Sequence, residues 1–319
     1  MIGRTLFTTV AACCTLAGIA GGSRTAVADD LYVATLTGVT RFSPSGVGSE
    51  FLSNLPAFSP LGIAFDATGN LYLSHHGIDS LTEYARDGST SVIASYLNAP
   101  YELAMDASGN FYTAKDFNQI AKVTRTGDVT TVVSGLSSPN AVAFGTDGST
   151  LYYADINGLY KLAGGISPTL VAPKSAFPGG AGPVYMAFDR FGNLFVSDYH
   201  NGSVDKVTPD GTVSVFGLIS GRPEGLAFDN AGNLFVAEYE DIIANGRILE
   251  FNQSGVMTVF ATGIVAPEGI AFGPGSSELS TPEPGATALL GVLCLGSLAV
   301  RKRTRITSAL AKKSWMQVR

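Results

Sequence analysis

Short apolar segments recur along the chain about every 40 residues, and polar turns rich in Asp, Gly and Asn separate them. The clearest copy of this pattern reads PEGLAFDNAGNLFVAEYE and runs from Pro223 to Glu240. Four similar copies begin at other prolines, namely Pro60, Pro100, Pro139 and Pro183. Short strands repeated with a period of roughly 40–50 residues predict the blades of a β-propeller.

Each copy predicts four strands, which we call A to D. Strand A is the apolar segment after the proline, as at 225–228, and strand B is the aromatic and β-branched segment, as at 234–236. The turn between them has Asp first and Gly fourth, so that the Asp side chain caps its own backbone. Strand C alternates, as at 204–207, and predicts one solvated face. A turn ending in Gly leads to strand D, because Gly takes a positive φ without strain.

A sixth copy is divided between the two ends of the repeat region. Its opening, PEGIAFGPG, lies at 267–275, and its continuation, DDLYVATLTGVTRFSPSG, lies at 29–46. We therefore expect both ends of the repeat region to pair in one sheet, which closes the ring and leaves no terminal blade exposed. Strand B begins at positions 31, 71, 111, 151, 194 and 234, so the predicted fold is an all-β propeller of six blades.

The phrase P-x-G-[IL]-A-F-D-x-x-G-N-L-[YF]-V-[AS]-[DE] resembles the NHL repeat and the blades of SMP-30/gluconolactonase-like propellers. The resemblance covers about residues 29–275. It implies a six-bladed β-propeller. It implies no single activity, since these families contain scaffolds, lactonases and lyases.

The N-terminal segment has the order of a secretory signal peptide. Arg4 precedes an apolar stretch at 6–20, and Ala26-Val27-Ala28 offers a small-residue cleavage site. The prediction is a signal peptide at 1–28, cleaved between Ala28 and Asp29, with a propeller at 29–275. The three cysteines, Cys13, Cys14 and Cys294, lie outside that propeller, which therefore depends on its core and on ring closure for stability.

The C-terminal segment resembles a PEP-CTERM sorting signal. A linker and motif at 276–284 include Pro282, Glu283 and Pro284. An apolar run at 285–300, predicted as a transmembrane helix, follows, and then a basic tail at 301–319 that begins with Arg301, Lys302 and Arg303. The resemblance implies processing by exosortase-type machinery at a bacterial envelope. The basic cluster predicts a cytoplasmic tail and an external propeller. Residues 306–319 extend beyond the usual signal, either as a membrane-surface helix or as a disordered tail.

The charge distribution limits the kinds of partner. The whole chain carries a net charge of −6, and the repeat region is acidic whereas the C-terminal segment is basic. An acidic propeller is a poor nucleic-acid binder, because affinity for DNA depends on Lys and Arg at the phosphates. Cations or neutral partners such as glycans fit better, and a merely solvated surface is the simpler alternative.

The start of strand A and the end of strand B share one rim of a propeller, and candidate site residues cluster there. The predicted ligand-binding residues are Tyr101, Glu102, Tyr185 and Asp198. The candidate ligands of a divalent cation, Ca²⁺ or Zn²⁺, are Asn140, Glu224 and Glu268, because hard cations take oxygen donors. The alternative is that these side chains cap turns at the rim. Acids after strand B, at Asp155, Asp198 and Glu238, are expected to tie down the B–C loops.

Two functions remain open. The first is an exported, envelope-anchored binding or scaffold module for a glycan or a protein. The second is a metal-dependent lactonase-type hydrolase or lyase at the central channel. The resemblance to SMP-30-like lactonases implies metal ligands at Asn140 and Glu268, but Val184 stands where that family has an Asp. The sequence shows no nucleophile motif of the G-x-S-x-G or H-E-x-x-H type.

Overall fold

The computed structural model describes residues 29–56, 60–115, 118–165, 167–180, 183–240 and 245–274. These residues form six four-stranded antiparallel sheets, which confirms the predicted six-bladed all-β propeller. We number the blades I to VI around the ring and the strands β1 to β24 along the chain.

Blade I contains β1 (Asp30–Thr35), β2 (Gly38–Phe42), β3 (Gly48–Leu52) and β24 (Ile270–Gly273). Blade II contains β4 (Gly62–Phe65), β5 (Leu71–His75), β6 (Ser80–Tyr84) and β7 (Thr90–Ala94). Blade III contains β8 (Leu103–Met105), β9 (Phe111–Lys115), β10 (Gln119–Val123) and β11 (Val129–Ser134).

Blade IV contains β12 (Ala141–Phe144), β13 (Leu151–Asp155), β14 (Gly158–Leu162) and β15 (Thr169–Pro173). Blade V contains β16 (Met186–Phe188), β17 (Leu194–Asp198), β18 (Ser203–Val207) and β19 (Val213–Leu218). Blade VI contains β20 (Arg222–Phe228), β21 (Leu234–Tyr239), β22 (Gly246–Phe251) and β23 (Met257–Ile264). Short 3₁₀ helices lie at His76–Ile78, Lys174–Ala176 and Pro178–Gly180.

The ring closes as the divided repeat predicts. Strand β24 pairs antiparallel with β1, with Leu31 opposite Phe272 and Val33 opposite Ile270. The backbone N–H of Ala34 continues this pairing by donating to the carbonyl of Gly269, at 2.9 Å. The innermost strands of successive blades contact one another all the way round, from β24 to β4 and back from β20 to β24. The two ends of the repeat therefore share blade I.

The hydrophobic core lies between the blades. Six buried clusters are found, and each joins residues of two neighbouring blades. At the joint between blades IV and V, for example, Ala154 and Leu159 pack with Met186 and Val196. Because every blade is covered by a neighbour on both sides, strands B and C have two buried faces. The solvated face predicted for 204–207 is therefore wrong, since Asp205 is 0% exposed.

The predicted turn chemistry is confirmed at the A–B hairpins. In blade II, Asp66 Oδ1 accepts hydrogen bonds from the backbone N–H groups of Thr68 and Asn70, at 2.9 and 3.0 Å. Gly69 in the same turn has φ of +88°, a conformation that side chains with a Cβ rarely adopt. The Asp-x-x-Gly spacing is thus explained by the backbone conformation of the turn and not by ligand binding.

The outer strands of all six blades carry an irregularity in their pairing with strand C. A bulge on an exposed edge strand bends it away from the geometry that another chain needs for pairing. The propeller thus protects the edges that ring closure leaves.

The signal peptide at 1–28 and the segment at 275–319, with its sorting motif and predicted transmembrane helix, lie outside the described residues. Among the residues that are described, no helix has the length and apolar character required to cross a membrane.

Candidate functional site at the upper rim

We call the upper rim the face of the disc where the innermost strands begin and the second strands end. The structure brings the predicted residues Tyr101, Glu102, Asn140, Tyr185, Glu224 and Glu268 to the beginnings of five innermost strands. Asp198 lies farther out, at the end of β17. The rim therefore has two zones, one at the channel axis and one over the outer joints between blades.

Glu102 is buried at the channel and connects three blades. Its Oε2 accepts a hydrogen bond from the backbone N–H of Val142 in blade IV, at 2.6 Å. Its Oε1 accepts one from the backbone N–H of Met186 in blade V, at 3.0 Å. Burial raises the pKa of Glu102 well above its usual range, although both backbone donors oppose that shift. Glu102 thus satisfies strand ends that have no partner in a neighbouring strand.

Tyr185 crosses the channel. Its side chain begins in blade V, and its hydroxyl donates to the carbonyl of Leu61 in blade II, the opposite blade, at 3.3 Å. Burial raises its pKa well above the usual value, and the charges of Glu268, Glu224 and Glu102 add to the shift. Tyr185 is 5% exposed, so it lies buried across the channel. A cavity of about 290 Å³ lies along the innermost strands and includes Tyr185 and Glu102 in its lining.

The metal candidates Glu224 and Glu268 begin neighbouring innermost strands. The two strand ends are joined by a hydrogen bond from the N–H of Gly225 to the carbonyl of Glu268, at 3.2 Å. Burial raises the pKa of Glu268 to about 7, and burial followed by the charge of Glu268 raises that of Glu224 well above its usual range. Asn140 belongs to blade IV, opposite blade I. These three side chains offer hard oxygen donors, the type that Ca²⁺ prefers.

Among the described residues, no group of three or more His, Cys, Asp and Glu side chains has the geometry of a metal site. Asn140, Glu224 and Glu268 are the oxygen-bearing side chains that the sequence predicted as ligands, and Val184 occupies the place where the resemblance implied a further carboxylate. Their assignment as metal ligands stays a prediction.

The acids after strand B anchor loops. Asp198 accepts hydrogen bonds from the backbone N–H and the side-chain amide of Asn201, at 3.2 and 2.6 Å. Glu238 accepts from the backbone N–H of Gly221 at 2.7 Å and from Nε of Arg247 at 2.6 Å. Both acids are buried, and their oxygens are engaged with the protein. The ligand-binding role of Asp198 also stays a prediction.

Two adjacent histidines lie in different elements at the upper rim. His75 ends β5 and is buried, which lowers its pKa to about 4. His76 begins a 3₁₀ helix, and its ring packs edge-on against Tyr101 with centroids 5.0 Å apart.

The sequence interpretation did not identify three residues of an open cleft between blades V and VI. Tyr199, Arg222 and Tyr239 line this cleft, whose volume is about 770 Å³. A signal was present, because only the second strands of blades V and VI end in an acid followed by tyrosine, at 198–199 and 238–239. Neighbouring blades place these two tyrosines on either side of one joint.

No family model matches this chain, and no curated protein matches it. Solved structures with a similar fold share low sequence identity with this chain. A chain of a nidogen/laminin complex has a TM-score of 0.65 at 17% identity and covers 76% of this chain and 98% of that one. Virginiamycin B lyase of Staphylococcus aureus has a TM-score of 0.58 at 14% identity, covering 78% and 90%.

A gluconolactonase of Xanthomonas campestris has a TM-score of 0.58 at 20% identity and covers 66% of this chain and 79% of that one. The neighbours thus include nidogen-type and gluconolactonase-type propellers. At these identities the similarity shows the fold alone.

Proposed function

We propose that this protein is a binding or scaffold module that takes a glycan or a protein on its upper rim. The observation that carries the proposal is that buried side chains bridge the blades across the central channel. Tyr185 spans the channel, and both oxygens of Glu102 accept backbone hydrogen bonds. Two of the polar side chains at the axis, Tyr185 and Glu102, are thus used to hold the blades together. A rim fixed in this way suits recognition, because little conformational freedom is lost on binding.

Binding can be tested with the purified full-length protein in mild detergent. A glycan array and a cross-linking capture on cell-envelope extracts should each be run at physiological salt. We expect a saturable ligand whose binding does not change when EDTA is added. Binding that disappears with EDTA and returns with Ca²⁺ would contradict a metal-independent module.

The second candidate is a metal-dependent lactonase-type hydrolase or lyase at the axis. The neighbouring carboxyl groups of Glu224 and Glu268 favour it, because two adjacent acids with raised pKa values gain stability when a cation lies between them. Asn140, Glu224 and Glu268 would hold such an ion, which would polarise a carbonyl oxygen of the substrate. Because similar solved structures include a virginiamycin B lyase and a gluconolactonase, virginiamycin B and gluconolactone are the first substrates to test.

Metal analysis separates the two candidates. Bound Ca²⁺ and Zn²⁺ should be measured for the wild type, Glu268→Ala and Asn140→Ala, with Glu50→Ala in an outer strand as the matched control. A stoichiometric ion lost in the first two variants alone would support the enzyme, provided that lactone hydrolysis is lost with it. An ion-free wild type with no hydrolysis supports the binding module.

We also propose that the chain is exported, cleaved after Ala28 and sorted to the bacterial envelope by exosortase-type machinery. The order of signal peptide, Pro282-Glu283-Pro284, apolar segment and basic cluster supports this. Fractionation of cells that produce the wild type and Glu283→Ala should show the wild type in the envelope or medium and the variant retained in the inner membrane. Equal distribution would contradict sorting through this motif.

A further inference from the structure

The cleft between blades V and VI has the size and composition of a ligand site. Its volume of about 770 Å³ falls within the ~300–1,000 Å³ typical of small-molecule sites. Tyr199 and Tyr239 line it together with Arg222, Ser220 and Glu240. Arg222 is held in place, because its guanidinium lies 5.1 Å from the centre of the Tyr199 ring and donates to the Tyr199 hydroxyl at 2.9 Å.

Buried hydrogen bonds fix the walls of this cleft. On the blade VI side, Glu238 accepts hydrogen bonds from Gly221, Ser220 and Arg247. On the blade V side, the backbone N–H of Ile219 donates to the carbonyl of Gly202 at 2.8 Å. The lining residues Gly202, Ile219, Ser220 and Gly221 are therefore held in place by hydrogen bonds, and the buried Glu238 behind them supports this wall, as in rigid recognition sites.

The charges in the cleft are balanced. Arg247 contacts both Glu238 and Glu240, at 2.6 and 3.2 Å. Arg222 interacts with the charge of Glu224 and lowers its pKa, opposing the larger effect of burial. The lining thus contains one cationic side chain, Arg222, and one anionic side chain, Glu240.

Such a surface suits hydroxyl groups, which both donate and accept hydrogen bonds. A guanidinium and a carboxylate each bind two neighbouring hydroxyls through paired atoms, and a tyrosine ring packs against the apolar face of a ring of C–H groups. We infer that this cleft binds a neutral sugar unit with vicinal hydroxyls, presented by a polysaccharide. The inference rests on the proposed binding function and adds the location and the ligand class.

Another joint lacks these features. The cleft between blades VI and I is lined by threonines, glycines and apolar residues, among them Thr35, Thr262 and Val265, and no charged side chain lines it. Phe42 and Phe260 line this cleft as well, so the repeat requires neither tyrosine nor charged side chains at a joint. Their presence between blades V and VI distinguishes this joint from the neighbouring one.

The test is isothermal titration calorimetry of the full-length protein in mild detergent with neutral gluco-, manno- and galacto-oligosaccharides, and with uronate oligosaccharides for comparison. Arg222→Ala and Tyr199→Ala are the test variants. Their matched controls are Arg190→Ala, since Arg190 also lies over an aromatic ring at 4.9 Å, and Tyr96→Ala, since Tyr96 is 88% exposed. Circular dichroism melting confirms that each variant is folded.

We expect a neutral oligosaccharide to bind the wild type, each test variant to weaken it at least tenfold and each control to change it less than twofold. Equal binding by all variants would overturn the site while the proposed glycan-binding function stands. Binding restricted to uronates would overturn the ligand class. No binding of any saccharide would overturn the inference and leave only a protein ligand for the proposed function.

Discussion

The channel axis and the joint between blades IV and V each bury an acidic side chain, in opposite surroundings. Glu102 at the axis accepts two backbone hydrogen bonds from two other blades. Asp205 lies on the same face of β18 as Val207, and that face packs against blade IV. Neither carboxylate oxygen of Asp205 has a hydrogen-bond partner in the described structure. The Ser203 hydroxyl on the same face also has no hydrogen-bond partner among the described residues, and it lowers the pKa of Asp205 less than burial raises it.

The difference shows that the partners of a buried acid decide its effect. A buried polar group costs free energy unless hydrogen bonds replace those it had with water. Glu102 has replacements and also satisfies backbone donors, so its removal leaves those donors unpaired. Asp205 has none, so its removal relieves a cost.

The largest expected effect comes from Glu102→Ala. Two buried backbone N–H groups lose their acceptors, so the free energy of unfolding should fall by about 2–5 kcal/mol. Urea unfolding at pH 7 measures this, and Glu50→Ala in an exposed strand serves as control with an expected change within ~0.5 kcal/mol. A loss for Glu102→Ala no greater than that of the control would remove the contrast between the two acids.

Asp205→Asn should act in the opposite direction. Burial raises the pKa of Asp205 to about 6, so the folded state holds the proton more tightly than the unfolded state does. The stability that this proton confers is present below about pH 4 and is lost as the pH rises through about 6.

The asparagine variant cannot lose that proton, so it should exceed the wild type in stability by about 1–3 kcal/mol at pH 8. The difference should shrink towards pH 4. Thermal melts of both proteins at pH 4, 6 and 8 measure it, with Glu50→Gln as the matched control. A constant difference across this range would show that Asp205 does not titrate as its surroundings indicate.

The smallest effect is expected from Tyr185→Phe, which keeps the ring in the channel and removes the hydrogen bond to Leu61. The free energy of unfolding should fall by about 0.5–1.5 kcal/mol, since one neutral hydrogen bond is lost. Urea unfolding beside the exposed control Tyr96→Phe tests this. A loss as large as that of Glu102→Ala would mean that the tyrosine, and not the carboxylate, holds the axis.

The repeat itself allowed the fold to be predicted. The period, the Asp-x-x-Gly turns and the divided copy gave six blades and the pairing of β1 with β24, because each depends on residues near one another in a repeat or on matching halves. The anchoring of B–C loops by Asp155 and Asp198 was also predictable, since both accept hydrogen bonds from nearby loop backbone. Glu238 differs, because its backbone donor is Gly221, which precedes strand β20.

The site was less predictable. Sequence reasoning brought Glu102, Tyr185, Glu224 and Glu268 to one rim, but it could not show that Tyr185 reaches the opposite blade. Sequence reasoning also predicted a solvated face for the strand that contains Asp205. An alternating pattern within one strand does not show which neighbouring blade covers that strand.

Local pattern determined the strands, turns and closure of this protein, since those features depend on backbone conformation and on side-chain alternation over a few residues. Tertiary structure alone decided which buried acids have hydrogen-bond partners and that Tyr185 spans the channel. It also brought Tyr199, Arg222 and Tyr239 into one cleft. Those outcomes depend on distances between blades, and such distances are set by ring closure and by the packing at every joint.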